Sequence, residues 1–258
     1  MNEERQVLKN AAIKIVGDRI KEIGTKEELI LSNPEASIIG NDNFMVIPGL
    51  INAHQHLTGD RLIQSCIPSE IEDTEAIFDW SVPIHALHSP DDDEISATLS
   101  LAESARCGIT FTVEAGTVAF PEMVLNGFEK VGVGGAIGSW GWDVGNGPYV
   151  DSVDGVIERQ LQVLEMTKNH SSVKGWVTLV GHNLMSDELL QKASNLAKEN
   201  STNLTFHLSP HAGEVSQYLE KTGMRPVTYI SELGVLGSHL LIGHAVHIDD
   251  SELEVLIN

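Results

Sequence analysis

From Phe44 onward, the sequence alternates short apolar stretches with longer amphipathic segments, and this alternation restricts the folds open to the chain. Apolar stretches of about four to eight residues between amphipathic segments are typical of βα units in a parallel sheet. Six strands are expected, at Val46–Ile51, Ile109–Glu114, Gly134–Ser139, Gly175–Val180, Leu204–Leu208 and Leu240–Ile242. No Gly-x-Gly-x-x-Gly turn follows the first strand, which counts against a dinucleotide-binding doubly wound sheet. The pattern therefore predicts an α/β fold of the (β/α)8, TIM-type barrel class that is incomplete, with about six βα units.

Capping residues and apolar periodicity mark the helices between these strands. The clearest helix begins after Ser89, because Pro90 suits the first helical position and the acidic residues 91–93 interact favourably with the helix dipole. Further helices are expected at Val153–Lys168, Asp187–Lys198, Glu214–Lys221 and Pro226–Leu233, with a last one from Asp249 to Asn258. In the first of these, Leu161 and Leu164 are expected on the buried side.

The amino-terminal residues follow a different pattern, in which short strands are joined by turns. The expected elements are strands at Ala12–Val16, Arg19–Ile23 and Ala36–Ile39 and a helical turn at Lys26–Leu31. This is too little structure to close a sandwich by itself. Residues 1–45 are therefore expected to be the amino-terminal part of a small β-sandwich domain, and residues 46–258 to form the βα units.

Histidines stand at the ends of several of the expected strands. His54 and His56 lie just past the first strand, His182 lies past the fourth, and His207 and His244 lie at the ends of the fifth and sixth. Because catalytic groups of this architecture come from the carboxyl ends of the strands, five of the 11 histidines are expected to converge at one edge. For His182, His207 and His244, an ordinary buried or turn histidine remains the alternative. The other histidines are expected to be structural or solvated: His85, His88, His170, His211, His239 and His247.

The spacing of the first two histidines indicates a metal site. Side chains two residues apart on a strand lie on the same face, so His54 and His56 bring two imidazoles to one point. Paired imidazoles suit a divalent metal of borderline softness. The pair alone is a weak signal, and further ligands must come from the rest of the chain.

Charge and cysteine content exclude several classes of protein. The net charge is -21 and the pI is about 4.7, which argues against nucleic acid and anionic membranes as partners, since both bind clustered Lys and Arg. Cys66 and Cys107 lie far apart, so neither a disulfide framework nor a thiolate zinc site is indicated. The sequence contains no signal-peptide pattern and no run of about 18 apolar residues. A cytoplasmic protein is expected.

Several segments together carry a family resemblance. They are Pro-Gly-Leu-Ile-Asn-Ala-His-Gln-His-Leu at 48–57, Phe-His-Leu-Ser at 206–209, Tyr-Leu-Glu-Lys-Thr-Gly-Met-Arg-Pro-Val at 218–227, Glu-Leu-Gly-Val-Leu-Gly at 232–237 and Gly-His-Ala-Val-His-Ile-Asp-Asp at 243–250. The combination resembles the amidohydrolase superfamily, in particular its branch of triazine hydrolases, cytosine and guanine deaminases, and thioadenosine or adenosylhomocysteine deaminases. The resemblance covers nearly the whole chain. It implies a distorted (β/α)8 barrel and a small β-sandwich built from both ends of the chain.

The resemblance also implies one divalent metal ion, zinc or alternatively iron. By matching the family's motifs, it identifies His54, His56 and His207 as metal ligands, His182 as the residue that orients the substrate, and His244 as the residue that contacts the metal-bound water or the substrate. A metal with three imidazoles and one carboxylate keeps an open position at which water is activated. Lys174 lies at the start of the fourth strand, whereas two-metal members have a lysine at its end, so the one-metal branch is favoured.

Two features depart from the family pattern. The family has a proton-carrying glutamate three residues after the strand-five histidine, but this chain has Pro210. Proton transfer is then expected from Glu214 or His244, and the alternative is that activity has changed or been lost. The second departure is length, because the chain stops one helix after the sixth strand, before the family's aspartate ligand on strand eight. The sequence is therefore expected to be an amino-terminal fragment of a longer enzyme.

Tryptophans near the same edge suggest a flat substrate. Trp140 and Trp142 follow the third strand, where they are expected to stack on a small heterocycle, with ordinary loop packing as the alternative. The expected function is metal-dependent hydrolysis of a non-peptide carbon-nitrogen bond, by deamination or related hydrolysis of a cyclic amidine or aminated heterocycle. A catalytically silent, ligand-binding relative is the alternative, and a homodimer is the assembly considered for the full-length protein.

Overall fold

The structure of the chain, a computed structural model, describes residues 6–257 apart from the side chains of Asp60 and Asp73. Its contacts divide the chain into two units, Met1–Gly49 and Leu50–Asn258. The expectations for residues 1–5 and for Asn258 fall outside the described residues.

The first unit is a β-hairpin followed by a short helix. Its elements are the antiparallel strands β1 (Ala11–Val16) and β2 (Arg19–Thr25) and the helix α1 (Lys26–Ser32). Gly17 turns the hairpin at a φ of 63°, a conformation that glycine adopts without steric cost. The first two expected strands and the helical turn are confirmed. The expected strand at Ala36–Ile39 is wrong, because within residues 6–257 no neighbouring strand pairs with this segment.

Parallel strands form two sheets in the second unit. One sheet has the order β3 (Leu50–Gln55), β4 (Ile109–Glu114), β5 (Gly134–Ile137) and β6 (Val173–Gly175), and the other has the order β7 (Val177–Gly181), β8 (Leu204–Leu208) and β9 (Leu240–His244). All neighbouring strands within residues 50–257 run parallel, which confirms the α/β class with parallel sheets. Parallel pairing places the last residues of adjacent strands side by side, at what we term the carboxyl edge.

Two strands differ from their expected positions. β3 begins at Leu50 instead of Val46, because Leu50 pairs with Ile109, the first residue of β4. His54 therefore lies inside the strand and not after it. The expected strand Gly175–Val180 is divided at Trp176, so that β6 pairs with β5 and β7 pairs with β8.

Helices connect the strands of the second unit. They are α2 (Asp60–Ile63), α3 (Asp73–Glu75), α4 (Val82–His85), α5 (Pro90–Arg106), α6 (Pro121–Val131), α7 (Val153–Thr167), α8 (Asp187–Glu199), α9 (Ala212–Thr222), α10 (Pro226–Glu232) and α11 (Asp250–Ile257), with a 3-10 turn at Gln64–Cys66 and a π-helical turn at Ala76–Ser81. α5 begins as the sequence predicts, because Ser89 and Asp92 form a reciprocal capping box. The sequence does not predict α6 or the helical turns of residues 60–85. No helix within residues 6–257 has the length and apolar character needed to span a membrane.

The helix α7 buries a polar residue in place of an expected leucine. Leu161 is 44% exposed, whereas Gln160 is fully buried. The Gln160 side chain donates to the Ser139 carbonyl at 2.9 Å and accepts from the Thr178 N–H at 3.1 Å. These two bonds connect α7 to the segment after β5 and to β7. The buried side of the helix therefore includes Gln160 instead of Leu161. The apolar core lies mainly where α8 packs against β7 and β8 and where α5 and α6 pack together.

We expect Leu189→Ala in the complete protein to lower the free energy of unfolding by about 2–5 kcal/mol, because Leu189 of α8 is fully buried in the core. The exposed Leu161 is the matched control, and Leu161→Ala should change stability by less than about 0.5 kcal/mol. Urea denaturation of both variants measures the difference. Equal losses of stability would contradict this packing.

Candidate functional site

Three histidines from both sheets meet at the carboxyl edge of the second unit. His54 belongs to β3, His56 follows that strand, and His207 belongs to β8. One ligand nitrogen of each lies within 4.8 Å of the other two, and the ring centroids are 4.8 to 5.1 Å apart. The structure therefore brings together the three residues that the sequence predicts as metal ligands.

Hydrogen bonds determine which nitrogen of two of these rings is free. The Nδ1 atom of His207 lies 2.6 Å from the Val180 carbonyl, which can only accept, so Nδ1 carries the proton and Nε2 keeps a lone pair. The Nδ1 atom of His56 lies 3.4 Å from the Thr117 hydroxyl. That hydroxyl donates its own proton to Glu114 at 2.6 Å, so it accepts from His56. Both Nε2 atoms are thus unprotonated.

The free nitrogens are arranged as in a metal site. The Nε2 atoms of His56 and His207 lie 3.3 Å apart, a distance at which two lone pairs repel each other without a cation between them. The Nε2 atom of His54 is buried and has no hydrogen-bond partner among the described residues. In a tetrahedral zinc site with zinc-nitrogen bonds of about 2.05 Å, ligand nitrogens lie about 3.4 Å apart. The residues present therefore fit a divalent metal ion.

Burial keeps the three imidazoles in the form that binds a metal. Desolvation by the surrounding protein, followed by the effect of neighbouring histidines, lowers the pKa of His54 to about 4 and that of His56 to about 3. The same causes hold the pKa of His207 well below its usual value. All three rings are consequently neutral at pH 7, with lone pairs available for coordination.

A buried carboxylate supports the ring of His56 through Thr117. Glu114, the last residue of β4, is fully buried, and burial raises its pKa to about 7. This occurs even though the Gly116 N–H and both the N–H and hydroxyl of Thr117 donate to the carboxylate. Glu114 fixes the Thr117 hydroxyl and thereby the orientation of the His56 ring, as carboxylates commonly do beside metal-binding histidines.

A cavity of about 520 Å³ is lined by two of these three histidines, His56 and His207. Its lining combines imidazoles with apolar side chains, among them Ile63, Ile67, Ile77, Val82 and Trp140. His182 and His244 also line the cavity, as the sequence predicts. The ring of His182 stacks on His207 with a centroid distance of 5.0 Å, and the ring of His244 lies 5.0 Å from that of His54. A mixed lining of this kind suits a flat, mainly apolar ligand with a few polar groups.

Unusual backbone conformations accompany these residues. Non-glycine residues with positive φ stand where three strands end: His182 (54°) and Asn183 (58°) follow β7, Ser209 (53°) follows β8, and His244 (71°) and Ala245 (52°) end and follow β9. Such conformations cost free energy and persist where the surrounding structure fixes them. Two of these residues, His182 and His244, line the cavity, so the surrounding structure fixes the backbone at this part of its lining.

The two tryptophans predicted to bind substrate occupy different positions. Trp140 lines the cavity and stacks on Tyr149 with a centroid distance of 4.6 Å and an interplanar angle of 5°. Trp142 is 2% exposed and lies outside the cavity lining, because its ring packs against Phe78 and Trp140. Of the two predicted tryptophans, the structure thus places Trp140 at the cavity and Trp142 outside its lining.

Glu214, predicted as a proton carrier, lies outside the cavity lining as well. It is 1% exposed, and its Oε1 atom accepts from the Ser209 N–H at 2.8 Å. Its Oε2 atom lies 3.6 Å from Nδ1 of His182. Glu214 thus contacts a residue of the cavity without lining the cavity itself, since it belongs to the first turn of α9. The loop before it contains Pro210.

The sequence predicts His85 to be structural or solvated and gives no sign that it lines the cavity. It is 2% exposed and lines the cavity. Its Nε2 atom lies 2.9 Å from the Thr58 hydroxyl and its Nδ1 atom lies 2.7 Å from the Tyr149 hydroxyl. Burial lowers the pKa of His85 to about 3. No strand leads to His85, so the strand-end signal that identified the other histidines does not exist for it.

Comparison with known proteins adds family information. The model of the amidohydrolase family matches residues 45–258. A 5-methylthioadenosine/S-adenosylhomocysteine deaminase of Caldicellulosiruptor saccharolyticus is 29% identical over 263 residues, which cover 99% of this chain and 57% of the relative. A 5'-deoxyadenosine deaminase of Methanococcus maripaludis is 25% identical over 256 residues, which cover 96% of this chain and 58% of the relative. The chain thus spans a little more than half the length of these curated relatives.

Solved structures share the fold. An adenosine deaminase from Xanthomonas campestris with bound zinc has a TM-score of 0.85 at 18% identity, covering 97% of this chain and 56% of that one. An atrazine chlorohydrolase from Arthrobacter aurescens complexed with zinc has a TM-score of 0.85 at 20% identity, covering 99% and 60%. At these identities the likeness concerns the fold alone.

We expect the complete protein to contain about one divalent metal ion per chain. His54→Ala and His207→Ala should lose it, because each removes an imidazole from the cluster. His239→Ala is the matched control, since His239 bonds to Ser194 and lies outside the cluster. Elemental analysis after purification measures the metal. Full metal content in the first two variants would exclude this site.

We also expect acid to destabilise the fold through His85. Its pKa is about 3 in the folded chain and about 6.5 when unfolded, so the unfolded chain binds more protons between these values. The stability linked to neutral His85 is present above pH 6.5 and is lost toward pH 3, by up to about 1.4 kcal/mol per pH unit. Urea denaturation of the metal-free protein at pH 7 and pH 5 should show a smaller loss for His85→Gln than for wild type. An identical pH dependence of stability in wild type and His85→Gln would contradict this role of His85.

Proposed function

Because the chain belongs to the amidohydrolase family, we propose that the complete protein is a metal-dependent hydrolase of non-peptide carbon-nitrogen bonds. The observation that carries the proposal is the pair of unprotonated Nε2 atoms of His56 and His207, 3.3 Å apart beside the unpartnered Nε2 atom of His54. We propose these three residues as the ligands of one metal ion. Zinc is favoured, since imidazole suits it and two similar structures contain it, and iron is the alternative.

When bound there, a divalent cation supplies the Lewis acidity that brings the pKa of water toward neutrality. His244 is proposed to move the proton, because Pro210 stands where the family has its glutamate. Burial lowers the pKa of His244, so its ring is neutral at pH 7 and can accept a proton from the attacking water. The resulting imidazolium can then donate to the leaving nitrogen. His182 is proposed to orient the substrate, and Trp140 to stack on it.

The proposed substrate is a small aminated heterocycle or cyclic amidine. Trp140 lines the cavity, and its stacking on Tyr149 holds this flat ring rigidly in place. The curated relatives are named as deaminases. We propose deamination or a closely related hydrolysis as the reaction.

The finer architecture is proposed on the same basis. The two parallel sheets of the second unit would be the first six βα units of a (β/α)8 barrel, and residues 1–45 one part of a small β-sandwich. High TM-scores over 97% to 99% of this chain support this assignment. A cytoplasmic location and a homodimeric assembly stay predictions.

A catalytically silent relative is the second candidate. Pro210 favours it, because proline cannot carry a proton. Such a protein would bind metal and heterocycle without turnover.

Ammonia release from a panel of aminated heterocycles, assayed with the complete, metal-loaded protein, distinguishes the candidates. We expect turnover, its loss in His54→Ala, and a fall in kcat of about 10²–10⁴-fold in His244→Asn, the range for a proton carrier. His239→Ala should retain activity. Metal binding without turnover of any member of the panel would favour the silent relative, and absence of metal would exclude both.

A further inference from the structure

The buried carboxylate of Glu214 has one oxygen whose partner is missing. Oε1 accepts from the Ser209 N–H at 2.8 Å, whereas Oε2 is buried and has no hydrogen-bond partner among the described residues. A buried carboxylate oxygen without a hydrogen-bond donor costs free energy. A hydrogen bond from a nearby donor would therefore be favourable. The catalytic scheme above assigns no task to this group.

His182 is a candidate donor. Its Nδ1 atom lies 3.6 Å from Oε2 of Glu214, slightly beyond a hydrogen bond, and catalytic hydrogen bonds are often this long before a ligand is bound. Two rings hold the imidazole: His207 stacks at 5.0 Å, and Phe78 packs edge-on at 5.7 Å. These contacts restrict rotation of the His182 ring and keep Nδ1 beside the carboxylate.

We propose that Glu214 is a positioning residue that holds His182 in the tautomer with its proton on Nδ1. An ionised carboxylate only accepts hydrogen bonds, so Nδ1 must donate. In a neutral imidazole the other nitrogen, Nε2, is then an acceptor. Since His182 lines the cavity and Glu214 does not, the acceptor is the nitrogen available to a ligand.

The consequence is a requirement on the substrate. A molecule that binds beside His182 must present a hydrogen-bond donor there, such as an exocyclic amino group, a protonated ring nitrogen or a hydroxyl. A ligand with a carbonyl or unprotonated ring nitrogen at that position would leave two acceptors facing each other. This inference rests on the proposed function and specifies the hydrogen-bonding face of its substrate.

His211 lies close to His182 and Glu214, but it caps a helix. A ligand atom of His211 lies within 4.8 Å of those of His182 and Glu214, which raises the possibility of a second metal site. However, Nδ1 of His211 accepts the Glu214 N–H at 3.1 Å as the cap of α9. A metal-binding histidine donates from its second nitrogen instead. His211 is therefore a helix cap and offers a control position.

Glu214→Gln tests the proposal in the complete, metal-loaded protein. The glutamine can keep its amide oxygen on the Ser209 N–H and place its NH₂ group opposite Nδ1 of His182. Nδ1 must then accept, and the proton moves to Nε2. The control is His211→Asn, because asparagine also caps helices well and leaves Glu214 and His182 in place.

Nitrogen NMR of ¹⁵N-histidine-labelled protein reads the tautomer directly, with His182→Asn used to assign the signal. We expect a proton on Nδ1 of His182 in wild type and in His211→Asn, and on Nε2 in Glu214→Gln. For the best substrate found, kcat/KM should fall about tenfold to a hundredfold in Glu214→Gln, as expected for an unmatched buried polar contact. It should change little in His211→Asn.

A proton on Nε2 of His182 in wild type, or the same tautomer in wild type and Glu214→Gln, would overturn the proposal. Unchanged thermal unfolding of Glu214→Gln, together with the tautomer change, separates positioning from a purely structural role. If wild type releases no ammonia from any heterocycle, the proposed function fails, while the NMR comparison still decides the role of Glu214.

Discussion

The hydrogen bond from Nδ1 of His207 to the Val180 carbonyl is the interaction on which the site depends. It connects β8 to β7 and decides which nitrogen of His207 keeps a lone pair. Thr117 does the same for His56 through Glu114, from the other sheet. Each sheet thus contributes an imidazole whose Nδ1 proton is donated to a neighbouring oxygen. The remaining lone pairs meet because the carboxyl ends of the strands meet, so the metal-binding arrangement follows from sheet pairing together with two supporting acceptors.

The part of the site that the sequence predicts is the part controlled by local periodicity. His54 and His207 lie near the ends of their strands, His244 ends β9, and His182 directly follows β7. The carboxyl end of a parallel strand defines where these side chains lie. His85 does not follow a strand, and its position depends on the irregular helical turns of residues 60–85. No spacing rule describes those turns. Half of the cavity lining therefore could not be located from the sequence.

Packing between distant segments is the second reason why the sequence does not predict every feature of the fold and the site. Apolar periodicity predicts a buried Leu161, but Gln160 takes the buried position on α7, where its amide bonds to two backbone groups. The position of Trp142 after the third strand predicts contact with substrate, but its ring packs against Phe78. In the same way, the start of β3 was set by its partner strand and not by its own apolar residues. Such outcomes depend on contacts between distant segments, which hydrophobicity alone does not encode.

The two sides of the cavity differ in how freely their residues can be substituted. Residues with positive φ at the ends of β7 and β9 restrict substitution on the polar side. At His182 and His244, which line the cavity, β-branched replacements would be disfavoured by the backbone alone, whatever their effect on chemistry. The lining contributed by Ile63, Ile67 and Ile77 carries no such restriction. Substitutions that alter substrate preference therefore meet less backbone resistance on the apolar side of the cavity than at His182 and His244.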